Sequence, residues 1–229
     1  MITLNADEAR VLGVLIEKAT TTPEQYPLSL NAAVSGCNQK NNRDPVLTMS
    51  EDHVFDALES LREKQLVARI TQAGARVHKY KHTAGETLQL RSGDLALLAE
   101  LLLRGPQTLG ELRGRAARMH PMQTLDEAKE YIRGLTERPE PLIKEIPPAP
   151  GTRAMRYVQL LSADLHPQDL MAKVADTPAA MQGGTIGATE LAARVEALEQ
   201  DVARLSGALR SLAASLDLPD PLGPSSSGS

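Results

Sequence analysis

The chain has 229 residues, 41% of them hydrophobic and 24% charged, with a formal net charge of −4; this is the composition of an ordinary soluble protein with one large or two modest domains. Aromatic residues make up only 2%, which argues against modules that stack bases or sugars on exposed rings. The single Cys37 excludes an internal disulfide and a thiolate metal cluster.

The first residues, MITLNADEARVLGVLIEKA, lack the basic start, apolar middle and cleavage site of a signal peptide. No apolar run approaches the roughly 20 residues that span a bilayer. A cytoplasmic protein with no membrane association is therefore expected.

Asn5 with Glu8 forms the signature of a capping box, and Val11, Leu12, Leu15 and Ile16 recur at helical spacing, so a first helix begins at Asn5. TTTPEQYP breaks it. A second helix is expected from Ser29 to about Cys37, and NQKNNRDP, residues 38–45, follows as a polar connector. Its Asn residues can satisfy backbone groups, Pro45 favours an extended course, and Lys40 and Arg43 either project or pair with nearby acids. Ser50 caps a third helix, SEDHVFDALESLREKQL, with Val54, Leu58 and Leu61 on one stripe. VARITQ and RVHKYKH, parted by AGA, then read as a hairpin.

The same order repeats. SGDLALLAELLLRG is a helix capped by Ser92 and closed by Gly105 and Pro106; TLGELRGRAARM and TLDEAKEYIRGLTER supply two more helices; PLIKEIP and MRYVQLL supply two strands. Three helices followed by a hairpin is the winged-helix variant of helix-turn-helix architecture. The reading is thus a mainly α chain with small β-hairpin wings, in two tandem winged-helix domains over residues 1–87 and 88–165. A Pro/Gly-rich linker, 166–187, comes next.

Residues 188–217 carry a heptad seam of Leu191, Val195, Leu198, Val202, Leu205, Leu209, Leu212 and Leu216. Val or Leu at a with Leu at d favours a two-stranded coil, so a homodimer is expected. The alternative is a helix folded back on its own body; the narrow seam and its polar or Ala flanks favour the dimer. Residues 218–229 read as a disordered tail.

YPLSLNAAVSGCNQKNNRDPV in the first half, with TLGELRGRAARM and EPLIKEIPPAPGTRAMRYVQLLS in the second, resembles the YceH family of bacterial proteins. The similarity runs in order from residue 4 to about 163. It implies two winged-helix domains and supplies no active site.

A DNA-reading winged helix lays its third helix in the major groove. Here the outward face of the first such helix carries Asp52, Asp56, Glu59 and Glu63, and that of the second carries Asp126, Glu130, Arg133 and Glu137, opposite an inward set of Leu125, Ala128, Ile132 and Leu135. A row of carboxylates repels phosphate and releases no counterions, so these faces suit a protein partner or simply solvent.

Contact with duplex DNA would fall instead to loop and wing cations that hold phosphates without reading bases: Lys40, Arg43, Arg69, Arg76, Lys79 and Lys81, with Arg115 and Arg118 in the second half. Residues 1–87 carry 10 Lys/Arg against 11 Asp/Glu, and 88–165 carry 11 against 10, so neither half has the basic surplus of a usual nucleic-acid footprint. The five His show no metal-ligand spacing, and no dinucleotide or Walker loop is present. The expectation is a non-enzymatic interaction or adaptor module without cofactor, metal or small-molecule substrate, with a phosphate-gripping DNA regulator as the alternative.

Overall fold

A computed structural model of the protein describes residues 2–71, 77–149, 151–166, 206 and 210. The chain forms two compact units, Met1–Thr177 and Pro178–Ser229. In the second unit only Ser206 and Arg210 are described, both in helical conformation. The linker beyond His166, the tail and all eight residues of the heptad seam lie outside the described residues.

The described part is mainly helical, with two small antiparallel sheets. Helix α1 (Ala6–Thr21) opens with the expected capping box: the Asn5 side chain accepts from Glu8 N at 2.8 Å, and the Glu8 carboxylate accepts from Asn5 N at 2.9 Å. A short strand β1 (Leu28–Ser29) leads into α2 (Leu30–Cys37), capped by Ser29. Then come α3 (Glu51–Glu63), capped by Ser50, the hairpin strands β2 (Val67–Ile70) and β3 (Lys79–His82), and one turn of helix, α4 (Ala84–Thr87).

The second set repeats this: α5 (Ser92–Arg104), β4 (Gln107–Thr108), α6 (Leu109–Ala116), α7 (Leu125–Thr136), β5 (Ile143–Ile146) and β6 (Arg156–Gln159). The sheets are ordered β1-β3-β2 and β4-β6-β5, with Leu28 opposite Tyr80 and Gln107 opposite Tyr157. In each sheet the later hairpin strand is central, because the two residues ahead of the second helix pair with it.

Three local expectations are corrected. Ser92 is the first residue of α5 and not its cap; Arg91 occupies that position, and its backbone N–H is held by Asp94 at 2.9 Å. Leu125 is 46% exposed although helical phase put it inward, because it stands at the first position of α7, beyond the reach of the core. The strands of both hairpins are four residues each, shorter than the runs VARITQ, RVHKYKH, PLIKEIP and MRYVQLL, and β1, β4 and α4 carried no sequence pattern long enough to read.

One apolar core runs through both sets. Helices α1 and α5 pack directly on each other, so both are buried on nearly every face. In α1 every residue from Glu8 to Glu17 is buried, and α5 is buried from Ala96 to Leu103. A helix apolar on all sides belongs in an interior, and the LALLAELLL run of α5 has that character.

Gly13 of α1 faces α5 directly. A Cβ there would sit 3.0 Å from Leu103 Cδ2 and 3.1 Å from Leu102 Cβ. Gly13→Val is therefore expected to lower unfolding free energy by roughly 1–3 kcal/mol through overpacking. Gly114→Ala, at a helical site with nothing within 4 Å, should instead stabilise by about 0.5–1 kcal/mol. Urea denaturation of the two variants checks both signs.

Candidate functional site

The polar loop 38–45 lies where the two sets meet, and it is tied down residue by residue. Asn38 brackets the loop by donating to Met49 O at 2.9 Å and accepting from Met49 N at 2.7 Å. Asn42 accepts from Arg104 at the end of α5. Asp44 N donates to Leu103 O at 2.8 Å, and the Asp44 carbonyl accepts from His166 Nε2 at 2.6 Å. Arg10, fully buried in α1, donates to Pro45 O at 2.7 Å.

Arg43 carries most of this. Its side chain is 0% exposed, and it forms a fork on Glu17 of α1, with Nη2–Oε2 at 2.6 Å and Nη1–Oε1 at 3.3 Å. The remaining N–H groups go to the Gly36 and Asn42 carbonyls and to Gln39 Oε1. Every donor of the guanidinium is spent, as a buried cation requires.

From the other side Arg118, just beyond α6, reaches Glu17 Oε1 at 2.6 Å and Glu100 Oε1 at 2.7 Å. Arg104 closes the chain on Glu100 Oε2 at 3.1 Å. Two buried carboxylates, one from each half, are thus bridged by three arginines. Burial alone would raise the Glu17 carboxyl, but Arg43 and Arg118 outweigh it and hold it below the usual carboxylate range.

The sequence-selected cations divide accordingly. Arg43 and Arg118 are committed to Glu17 and Glu100; of the two courses open to Arg43, projecting or pairing, it pairs, with the distant Glu17 rather than with an acid near it in sequence. Arg115 is tied to Gln107 Oε1 at 2.7 Å and Glu111 Oε1 at 3.4 Å. Arg69 lies 3.8 Å from Glu59. Lys40 is exposed, and Lys79 and Lys81 in β3 are half-buried; Arg76 lies outside the described residues. Sequence reasoning weighed Arg118 as a phosphate contact or a structural residue and missed Glu17, Glu100 and Arg10. The signal was available: Glu100 is a lone carboxylate inside an apolar run, and such a charge needs a partner.

On the outward face of α3, Asp52, Asp56 and Glu63 are exposed, while Glu59 is half-buried and pairs with Arg62 at 2.5 Å. Phe55, the one phenylalanine of the chain, stands beside them at 39% exposure. On α7, Asp126 pairs with Lys129 at 3.0 Å, Glu130 pairs with Arg133 at 2.9 Å, and Glu137 is exposed. The α7 face is therefore mixed in charge where that of α3 is acidic.

Burial pushes the Cys37 thiol up to about 12, so it is a core side chain without nucleophilic character. Among the described residues no group of three or more His, Cys, Asp or Glu is placed to hold a metal ion. None of the described helices is long and apolar enough to cross a membrane.

The family model described as "Protein of unknown function, DUF480" matches residues 4–152. The chain belongs to this family. A UPF0502 protein of Shewanella sp. strain MR-7 is 46% identical over 220 residues, covering 93% of this chain and 99% of its own. A UPF0502 protein of Citrifermentans bemidjiense is 47% identical over 188 residues, 82% and 87%. A third, from Geotalea daltonii, is 53% identical over 163 residues, 71% and 74%. The DUF480 match spans the first helix–hairpin set, the junction, and the second set as far as β5; β6 lies beyond it.

The junction has a pH signature. The folded Glu17 pKa is depressed, so its contribution is complete above the unfolded carboxylate pKa, near 4.5, and is lost as pH falls through the lower folded value. Glu17→Gln should flatten the acid limb of stability against pH. At neutral pH, Glu17→Ala should cost roughly 3–5 kcal/mol because it leaves Arg43 buried without a counterion. Equilibrium denaturation as a function of pH measures both.

Proposed function

We propose that this member of the DUF480 family is a non-enzymatic adaptor made of two tandem winged-helix domains, 1–87 and 88–165, that dimerises through residues 188–217. Its partner is a protein bearing a basic, apolar-studded segment. In each half the order of three helices, then a hairpin whose later strand sits at the centre of a small sheet, supports the winged-helix reading.

The observation that carries the partner class is the α3 face: Phe55 at 39% exposure flanks a stripe of exposed Asp52, Asp56 and Glu63. An aromatic anchor beside a charged rim is the pattern of a protein-interaction hot spot. The same face in a major groove would meet phosphate with carboxylate.

DNA is the second reading, favoured by one observation. Lys79 and Lys81 lie on β3 and Lys40 is exposed in the loop, so a phosphate grip through wing and loop has cations to use.

One pair of titrations separates the readings. With an amphipathic lysine-rich peptide carrying leucines at helical spacing, saturable binding is expected, weakened at least tenfold by Phe55→Ala combined with Asp56→Lys. With random duplex DNA at low salt, no binding is expected. Tight DNA binding that is abolished by Lys79→Glu with Lys81→Glu, without peptide binding, would overturn the adaptor reading. Separately, light scattering of a chain ending at residue 187 should show the mass of a monomer; an unchanged dimer mass refutes dimerisation through the heptad segment.

A further inference from the structure

Beside α7 lies an open cleft of about 460 Å³ between its outward side and the segment that leads into α5. Arg91, Arg133 and Arg138 line it, together with Gln89 and Gly134. We propose that this cleft is a binding site for a phosphate monoester, gripped by the three guanidinium groups.

Arg91 is fixed in advance. Its guanidinium lies 4.6 Å from the centre of the Tyr131 ring and forms a fork on Asp94, with Nε–Oδ2 at 2.9 Å and Nη2–Oδ1 at 3.0 Å. Tyr131 is itself pinned: a Cβ on Gly93 would lie 2.4 Å from its Cζ, and its hydroxyl meets His120 Nε2 at 3.0 Å. Cation–π stacking and a carboxylate fork together hold a guanidinium plane without consuming its outer edge.

Arg138 is the independent observation. Its Nη2 donates to Leu88 O at 2.8 Å, while its Nε is buried with no acceptor. The bond to Leu88 O fixes the guanidinium at the edge of the cleft and leaves Nη1 to serve a phosphate oxygen. Gly134 keeps the floor of the cleft open, since a Cβ there would lie 3.0 Å from Arg91 Nη2.

Three carboxylates share the cleft, and they set its strength. Asp94 is buried and committed to Arg91 and to the start of α5. Glu130 holds Arg133 by one bond at 2.9 Å between two side chains that are each more than half exposed. An exposed pair of this kind is worth little and exchanges readily. Glu137 stands exposed at the rim. The six charges cancel, so binding is moderate, and an incoming dianion draws Arg133 away from Glu130. Arginine rather than lysine at all three positions suits the oxygen spacing of phosphate.

The cleft adjoins the α7 face but does not rest on the adaptor reading, which stands or falls with α3. The test is calorimetric titration of the full chain with inorganic phosphate and, separately, with O-phosphoserine capped at both ends. Saturable binding is expected, weakened at least tenfold by Arg133→Glu and tightened severalfold by Glu130→Gln, which frees Arg133. Tighter binding of capped phosphoserine than of inorganic phosphate marks a phosphorylated chain as the source; the reverse marks the free ion. Absence of saturable binding of either probe, or binding indifferent to both substitutions while their circular dichroism is unchanged, overturns the proposal. Arg133 and Glu130 are both exposed, so the variants should fold.

Discussion

The fold depends on a carboxylate in an uncomfortable place. Glu17 is 0% exposed near the end of α1, where an unpaired ion would cost several kcal/mol and force protonation or rearrangement. The protein meets that demand with two arginines from opposite directions: Arg43 from the loop after α2 and Arg118 from beyond α6. Because one partner belongs to each half, satisfying Glu17 also registers the halves against each other. Hydrophobic contact between α1 and α5 supplies most of the driving force but is indifferent to small slides. Arg118 is not indifferent, because one guanidinium must meet Glu17 Oε1 of the first half and Glu100 Oε1 of the second at once.

This explains the unusual polarity of the connector. A loop of Asn, Gln, Lys, Arg and Asp between two helices would ordinarily be solvated surface. Here its backbone and side chains answer orphan groups at the ends of α2 and α5 and two buried side chains: the Gly36 carbonyl receives Arg43, the Leu103 carbonyl receives Asp44 N, and Pro45 and Asp44 offer carbonyls to Arg10 and His166. Helix ends leave such groups unsatisfied, and a buried end must find partners. The loop is therefore interior wiring placed at the rim, and only Lys40 of its two cations faces outward.

What was legible in the sequence follows from distance along the chain. The caps at Asn5, Ser29, Ser50, Thr108 and Thr124 act within three residues, and the apolar stripe of α3 repeats within one helix, so local patterns reveal them. Strands β1 and β4 have two residues each and exist because a hairpin partner is present, so nothing local marks them. The Glu17–Arg43 and Glu17–Arg118 pairs are the extreme case, joining residues far apart in sequence through the packing of α1 on α5. Their trace is indirect. Arg10 and Glu17 stand seven residues apart in α1 with Gly13 and Val14 between them, a second helical face whose charges are too few for a solvated surface.

The same wiring sharpens the question of function by subtraction. Composition offered eight cations for an anionic partner; the junction takes Arg43 and Arg118, and Glu111 and Gln107 hold Arg115. What is left for recognition is unevenly distributed. The α3 face carries exposed acids beside an exposed phenylalanine, whereas on α7 Asp126 and Glu130 are each matched three residues on, by Lys129 and Arg133, and Arg133 lines a cleft with two further arginines. Two helices in equivalent positions of two similar folds have thus been given different surface chemistry. Rigid registration through Glu17 fixes the distance between them, and that distance constrains any ligand that touches both.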